Sequence, residues 1–367
     1  IVHDIFSPPV ASRIYAYPCI AAYEVLAQND PKKKSLAGQL RGLKPLPKAE
    51  NPDHTSYEIA ALVAFNLVGK ELIFSELRIV EYSENLIKEM GGRYPKRVIV
   101  NSKIFGEVIA NAILQWANTD LYKESRSFPK FSVRDVPGRW KPTPPDYMAG
   151  IEPHWREIRP FLLDSAEQFR PEPPPKFDLS ESSDFYKELQ IVYDAVKKAT
   201  EEHVEIAKFW DCNPYVSTHK GHFMFATKKI TPGGHWMGIA AIASKKKKES
   251  MQEAATTYAI TSIALYDAFI SCWDEKYLSN LIRPETVINK HLDESWQPIL
   301  QTPPFPEHTS GHSVISSAAA LALTDRFGQP FNFVDSVEVE YGLPARSFTS
   351  FKDASDEAAI SRLYGGI

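Results

Sequence analysis

Ser310, Gly311 and His312 lie in Phe305-Pro306-Glu307-His308-Thr309-Ser310-Gly311-His312-Ser313, ahead of small residues whose spacing predicts a helix over 313–327. A turn just before a helix leaves backbone N–H groups and the positive end of the helix dipole aimed at one spot, which suits a tetrahedral oxyanion. Ser310 adds a hydroxyl, Gly311 lets the backbone come close, and His312 can carry protons near neutral pH. Taken alone, the same three residues also read as ordinary helix capping.

An oxyanion site needs cations. A predicted helix over 249–280 leads into the stretch from Lys276 to Arg283, and seven residues is two helical turns. That spacing would put both on one face, roughly 10 Å apart along the axis, with long side chains able to converge on one anion. Arg362 comes late in a predicted helix that starts near Asp353-Ala354-Ser355-Asp356-Glu357, and Gly365-Gly366 follow it. Lysine offers a mobile point charge and arginine a planar fork matched to oxyanions. Singly, the first pair also reads as surface charge, and Arg362 as a cation answering its helix dipole.

The elements that must position these residues are helical. Apolar residues recur at helical spacing over about 9–28, 56–90, 102–121, 182–210, 236–243 and 249–280, and no convincing strand alternation occurs. Residues 126–180 hold eleven prolines and predict irregular chain; Trp140, Trp155 and Phe161 favour a loop packed over a pocket mouth, with a plain domain connection as the alternative. A second irregular stretch, 289–308, leads into Ser310. The lysine runs at 32–34 and 245–248 read as solvated surface. One internal echo stands out: Tyr15-Ala16-Tyr17-Pro18-Cys19-Ile20-Ala21-Ala22-Tyr23-Glu24 matches Tyr258-Ala259-Ile260-Thr261-Ser262-Ile263-Ala264-Leu265-Tyr266-Asp267 at both outer tyrosines, an alanine pair, an isoleucine and the final acid. It is either a shared packing pattern or the trace of an old duplication.

Composition narrows the partners. The 367 residues are 43% apolar and 24% charged with a net charge of −4, which gives no electrostatic reason to expect nucleic acid or an anionic membrane. No apolar run approaches the roughly 20 residues of a membrane span. Cys19, Cys212 and Cys272 are too few for a disulfide framework and wrongly spaced for zinc. The compartment is left open.

Together, Lys-x6-Arg-Pro, Pro-x3-Ser-Gly-His and Ser-Arg-x-x-Gly-Gly over residues 273–367 resemble the vanadium-dependent haloperoxidases and the phosphatidic-acid phosphatase type 2 superfamily that shares their pocket. Phe209-Trp210-Asp211, Thr231-Pro232-Gly233-Gly234-His235-Trp236 and the loop over 138–145 extend the likeness. The resemblance implies an all-α fold of two packed helical bundles, here 1–180 and 181–367, the second carrying the site. By the same resemblance, Lys276, Arg283 and Arg362 bind the equatorial oxygens of vanadate, or of phosphate in its place. Ser310 and Gly311 complete that shell, and His312 is the acid–base residue. Asp211 is a candidate carboxylate for orienting one arginine. The family's remaining histidine, six after the last arginine, would fall directly after Ile367, and the chain is expected to continue into it. His219 and His222 form a His-x-x-His without a third ligand and read as loop residues.

As a haloperoxidase, the protein would oxidise halide with hydrogen peroxide; Lys276 would polarise peroxide and His312 would assist proton removal. As a phosphatase on phosphomonoesters, the histidine after Ile367 would attack phosphorus and His312 would protonate the leaving group. A catalytically silent anion-binding bundle is the third reading. Aromatic Trp273 and Phe305 match chloroperoxidase-type members and tilt the expectation to halide oxidation. The resemblance is compatible with a periplasmic or secreted location and with an oligomer.

Overall fold

The structure, a computed structural model, describes residues 1–214, 216–220, 223–226 and 229–367. Pro8–Ala27 (α1) is capped by Ser7, whose hydroxyl accepts from Val10 N at 3.4 Å. Tyr57–Glu71 (α2), Glu76–Gly91 (α3), Lys96–Ala117 (α4) and the single turn Tyr122–Ser125 (α5) follow. The apolar period over 56–90 predicts one helix where there are two. Asp4 makes the break: its carboxylate accepts from the N–H groups of Phe74 and Ser75, each at 3.2 Å, and from the Ser75 hydroxyl at 2.9 Å.

The stretch 182–210 also divides, into Asp184–Lys197 (α6) and Glu201–Phe209 (α7), because Thr200 and His203 close a capping box around a new helix start. Pro232–Lys247 (α8), the 29-residue Met251–Ser279 (α9), Pro284–His291 (α10), Gly311–Phe327 (α11) and Phe351–Gly365 (α12) complete the helices. Pro284 at the first position starts α10 inside a stretch without a clear helical period. Two short antiparallel hairpins were not legible as alternation. They are Ser217–Lys220 (β1) with Phe223–Ala226 (β2), and Phe333–Asp335 (β3) with Arg346–Phe348 (β4). His219 lies in β1, and His222 lies outside the described residues.

α9 is the axis, packing against α1, α8 and α11. One apolar cluster runs through α1, α2, α4, α8, α9, α11 and α12, so it draws on residues from both sides of 180. The echoed segments lie on α1 and α9, which are neighbours, and their final acids do the same work. Glu24 accepts from Leu36 N at 2.5 Å and the Ser35 hydroxyl at 2.7 Å. Asp267 accepts from the N–H groups of Phe161, Leu162 and Leu163 at 2.7, 2.7 and 3.2 Å. Each buried carboxylate thus binds the backbone of a loop that returns to the bundle, and burial pushes both up in pKa.

Among the described residues α4 alone is long and apolar enough, by length and composition, to cross a membrane, where the sequence showed no such run. Its Phe105, Ile109, Ile113 and Trp116 are buried in the core. Gly106 brings it against α2 so closely that a Cβ there would lie 2.6 Å from the Ala60 carbonyl.

The proline-rich segment is bound to the body. Trp140, Trp155 and Phe161 are buried. Trp140 N donates to Asn280 O and Ile282 N to Gly138 O, each at 3.0 Å. Ile151 O accepts from Trp273 Nε1 at 3.1 Å and the Tyr277 hydroxyl at 2.6 Å. Asp274, buried on α9, holds Arg156 and Arg170 at 2.7 and 2.6 Å. This is the packed loop expected from its aromatics, and it buttresses the chain around Arg283.

Candidate active site

Three helix ends and one loop meet at a cavity lined by Trp273, Lys276, Arg283, Phe305, Glu307, Ser310, Gly311, His312, Arg362 and Ile367, among others. Lys276 comes from the last turn of α9, Arg283 is the residue that begins α10, and Arg362 lies in the last turn of α12. Lys276 and Arg283 therefore do not share a helical face. Asn280 takes the left-handed conformation (φ 48°) and stops α9 between them. They converge nonetheless, from opposite sides of that turn: Lys276 Nζ lies 4.8 Å and Arg283 Cζ 5.0 Å from the centre of the Phe305 ring.

Ser310 is the cap of α11, accepting from Ser313 N at 3.3 Å and the Ser313 hydroxyl at 2.9 Å. Its own hydroxyl proton is left to donate. Gly311 and His312 are the first two residues of the helix, whose N–H groups have no intrahelical acceptor by position. A Cβ on Gly311 would reach within 4.0 Å of Lys276 Cε and of the Trp273 ring, filling the space between them. The helix starts two residues earlier than the small-residue run suggests, and Ser310 caps it while also lining the cavity.

The electrostatics favour an anion. Lys276 is almost fully buried, with Nζ donating to the Pro306 and Glu307 carbonyls, each at 3.0 Å. Burial pushes its pKa down to about 8; the nearby Arg283 charge works the same way, while Cys272 and Glu307 oppose. Burial likewise lowers Arg362, against the pull of Asp211 and Cys212. His312 is driven well below its usual range by burial and then by the Arg362 charge, opposed by its hydrogen bond to the Trp210 backbone. It is neutral at pH 7, with Nε2 shut off from solvent and without a partner. Arg283 ties Nε to the Phe305 carbonyl and Nη1 to Glu307 Oε2, both at 2.7 Å, and leaves its buried Nη2 without a partner. Buried polar groups normally have partners. Here a free fork nitrogen and a free imidazole nitrogen belong to side chains lining one cavity.

That cavity measures about 60 Å³, several times the roughly 10–15 Å³ one water needs. The donor set fits a small tetrahedral oxyanion. Trp273 and Phe305, with ring centres 5.1 Å apart, form its apolar wall. Asp211 is buried, pairs with Lys229 and acts on Arg362 through its charge. The carboxylate on Arg283 is Glu307, which sequence reasoning left without a role. Its signal was an acid inside the proline-stiffened approach to Ser310. Cys212, in the wall beside Asp211, was also missed.

A predominantly helical protein with a buried, cation-lined cradle for a small oxyanion is what fold and site define. The family described as the VCPO second helical-bundle domain matches residues 256–367. The solved structure of the first bacterial vanadium-dependent iodoperoxidase is 55% identical, with a TM-score of 0.95 over 100% of this chain and 87% of that one. The chain belongs to the vanadium-dependent haloperoxidases. Two bacterial vanadium-dependent chloroperoxidase structures share the fold. The holo form is 18% identical with a TM-score of 0.73, over 99% of this chain and 88% of its own. The apo form is 16% identical with 0.70, over 98% and 88%. No curated protein matches the chain.

Proposed function

We propose that the protein is a vanadate-dependent haloperoxidase that oxidises iodide with hydrogen peroxide in this cavity. The observation that carries the reading is the convergence of Lys276, Arg283 and Arg362 on a cavity whose lining also includes the first turn of α11 and the unpartnered His312 Nε2. Iodide is chosen from the iodoperoxidase at 55% identity. When bound, vanadate supplies a Lewis-acidic centre that makes peroxide electrophilic toward halide.

The chain's residues do the rest. Lys276, Arg283 and Arg362 hold the oxyanion's charge, the free Arg283 Nη2 donates to one oxygen, and Ser310 with the Gly311 N–H donates to others. Glu307 and the Phe305 carbonyl fix the Arg283 fork so that Nη2 is free for the anion. Neutral His312, donating to the Trp210 carbonyl, offers the lone pair of Nε2 to take a proton from incoming peroxide. Trp273 and Phe305 exclude water from that side. Asp211 supports Arg362.

The test is halogenation of a reporter by purified protein with orthovanadate, peroxide and iodide, bromide or chloride in turn. Iodination that disappears without vanadate is expected. Hydrolysis of an aryl phosphate with no halogenation under any halide would overturn the reading.

A further inference from the structure

Behind the cavity wall, three residues from three elements bring metal-ligating atoms within 4.8 Å of one another: Cys212 just after α7, His235 in the first turn of α8, and Glu338 in the turn Val337–Tyr341. All three are buried. Cys212 Sγ lies 3.5 Å from His235 Nδ1, His235 Nδ1 3.1 Å from Glu338 Oε1, and Sγ 3.9 Å from Oε1. With Zn–S of about 2.3 Å and Zn–N and Zn–O of about 2.0–2.2 Å, tetrahedral geometry asks for edges of roughly 3.6, 3.3 and 3.6 Å in the same order. The side chains already stand within a few tenths of an ångström of that triangle.

A second observation fixes the histidine. Its other nitrogen, Nε2, lies 2.7 Å from Asp335 Oδ2 on β3. With a carboxylate on Nε2, Nδ1 faces Cys212 and Glu338, and once its proton is displaced this is the arrangement of a metal-bound histidine with its supporting acid. Trp210 stacks on the imidazole face at 4.6 Å and leaves the ring edge to the ligands.

We propose that Cys212, His235 and Glu338 form a structural site for a divalent transition metal, zinc being the ion whose ligand types and distances it fits, with Asp335 supporting His235. The fourth position would take water from the cavity that Cys212 also lines, which gives the ion its way in. Binding requires Cys212 to lose its thiol proton and any proton on Nδ1 to leave for solvent, so zinc uptake releases one or two protons. Without the ion, His235 would hold both protons between Asp335 and Glu338. The site ties α7, α8 and the 337–341 turn together behind Trp210, whose carbonyl meets His312.

The whole protein, stripped with a chelator and dialysed, would be titrated with Zn²⁺ alone and, separately, with Co²⁺. Expected are one equivalent bound, proton release in weak buffer, a rise of several degrees in Tm with zinc, and a thiolate-to-cobalt charge-transfer band. Cys212→Ala and Glu338→Gln should each weaken binding at least tenfold, and the first should abolish the band. Should either variant fail to fold, the wild-type titration decides. No stoichiometric binding, no thiolate band and an unchanged Tm would overturn the proposal and leave an ion-paired histidine only.

Discussion

The side chains of the cradle differ in what each is asked to do, and their variants should separate accordingly. His312→Ala removes the neutral imidazole from the cavity lining and should lower kcat by about 10²–10⁴, with vanadate affinity changed far less; steady-state kinetics at saturating vanadate checks this. Lys276 sets a pH limit. An anion binds its charged form, and free Lys276 loses its proton near pH 8, so affinity for phosphate should fall as pH rises through about 8, by up to tenfold per unit. Lys276→Arg, charged throughout, should flatten that slope in calorimetric titrations. The sign is opposite for stability. Between pH 8 and about 10.4 the unfolded chain holds the extra proton, so the anion-free protein should gain stability as pH rises across that window. His312 and the Lys276, Arg283 and Arg362 set were legible because three motifs in that order resemble one family, not because of helical spacing, which Asn280 interrupts. Glu307 was not, since a carboxylate in an anion pocket looks misplaced until its hydrogen bond to Arg283 is seen.

At the scale of elements, most helices were legible from their period. Their breaks were not, because long-range or cap-specific contacts make them. Asp4, some seventy residues away in sequence, divides α2 from α3, and a left-handed Asn280 ends α9 between Lys276 and Arg283. The outcome for the site was the same convergence by a different route. Close crossings carry the packing. Gly106→Ala would push a methyl into the Ala60 carbonyl and Val63 on α2, and because backbone must move the cost should be about 1–3 kcal/mol, read as a lower midpoint in denaturant. Asp267→Ala would strip three loop N–H groups of their acceptor and should cost about 3 kcal/mol or more, read from the same denaturant titration.

For the molecule as a whole, the cradle couples binding to folding. Its buried like charges are held together against their own repulsion, so an anion that binds only the folded state should add about 2.7 kcal/mol of stability at a hundred times Kd, and Tm should rise with its concentration. Differential scanning calorimetry with vanadate, and with phosphate as competitor, measures it. The predominantly helical class was legible from periodicity. We propose that the bundles, 1–180 and 181–367, are old copies, on the strength of Glu24 and Asp267 performing one task at matched positions of adjacent helices. A core that runs through both predicts a single cooperative transition when calorimetric and van't Hoff enthalpies are compared.

Lys276 has one more consequence, in covalent chemistry. An amine with a pKa near 8 is unprotonated in about a tenth of molecules at pH 7, against roughly one in three thousand for an ordinary lysine. Set in a cavity that gathers small anions, it becomes the preferred target of an anionic amine reagent. Brief treatment with cyanate should carbamylate Lys276 ahead of the exposed lysines at 245–248, as peptide mass mapping would show, and orthovanadate should protect it.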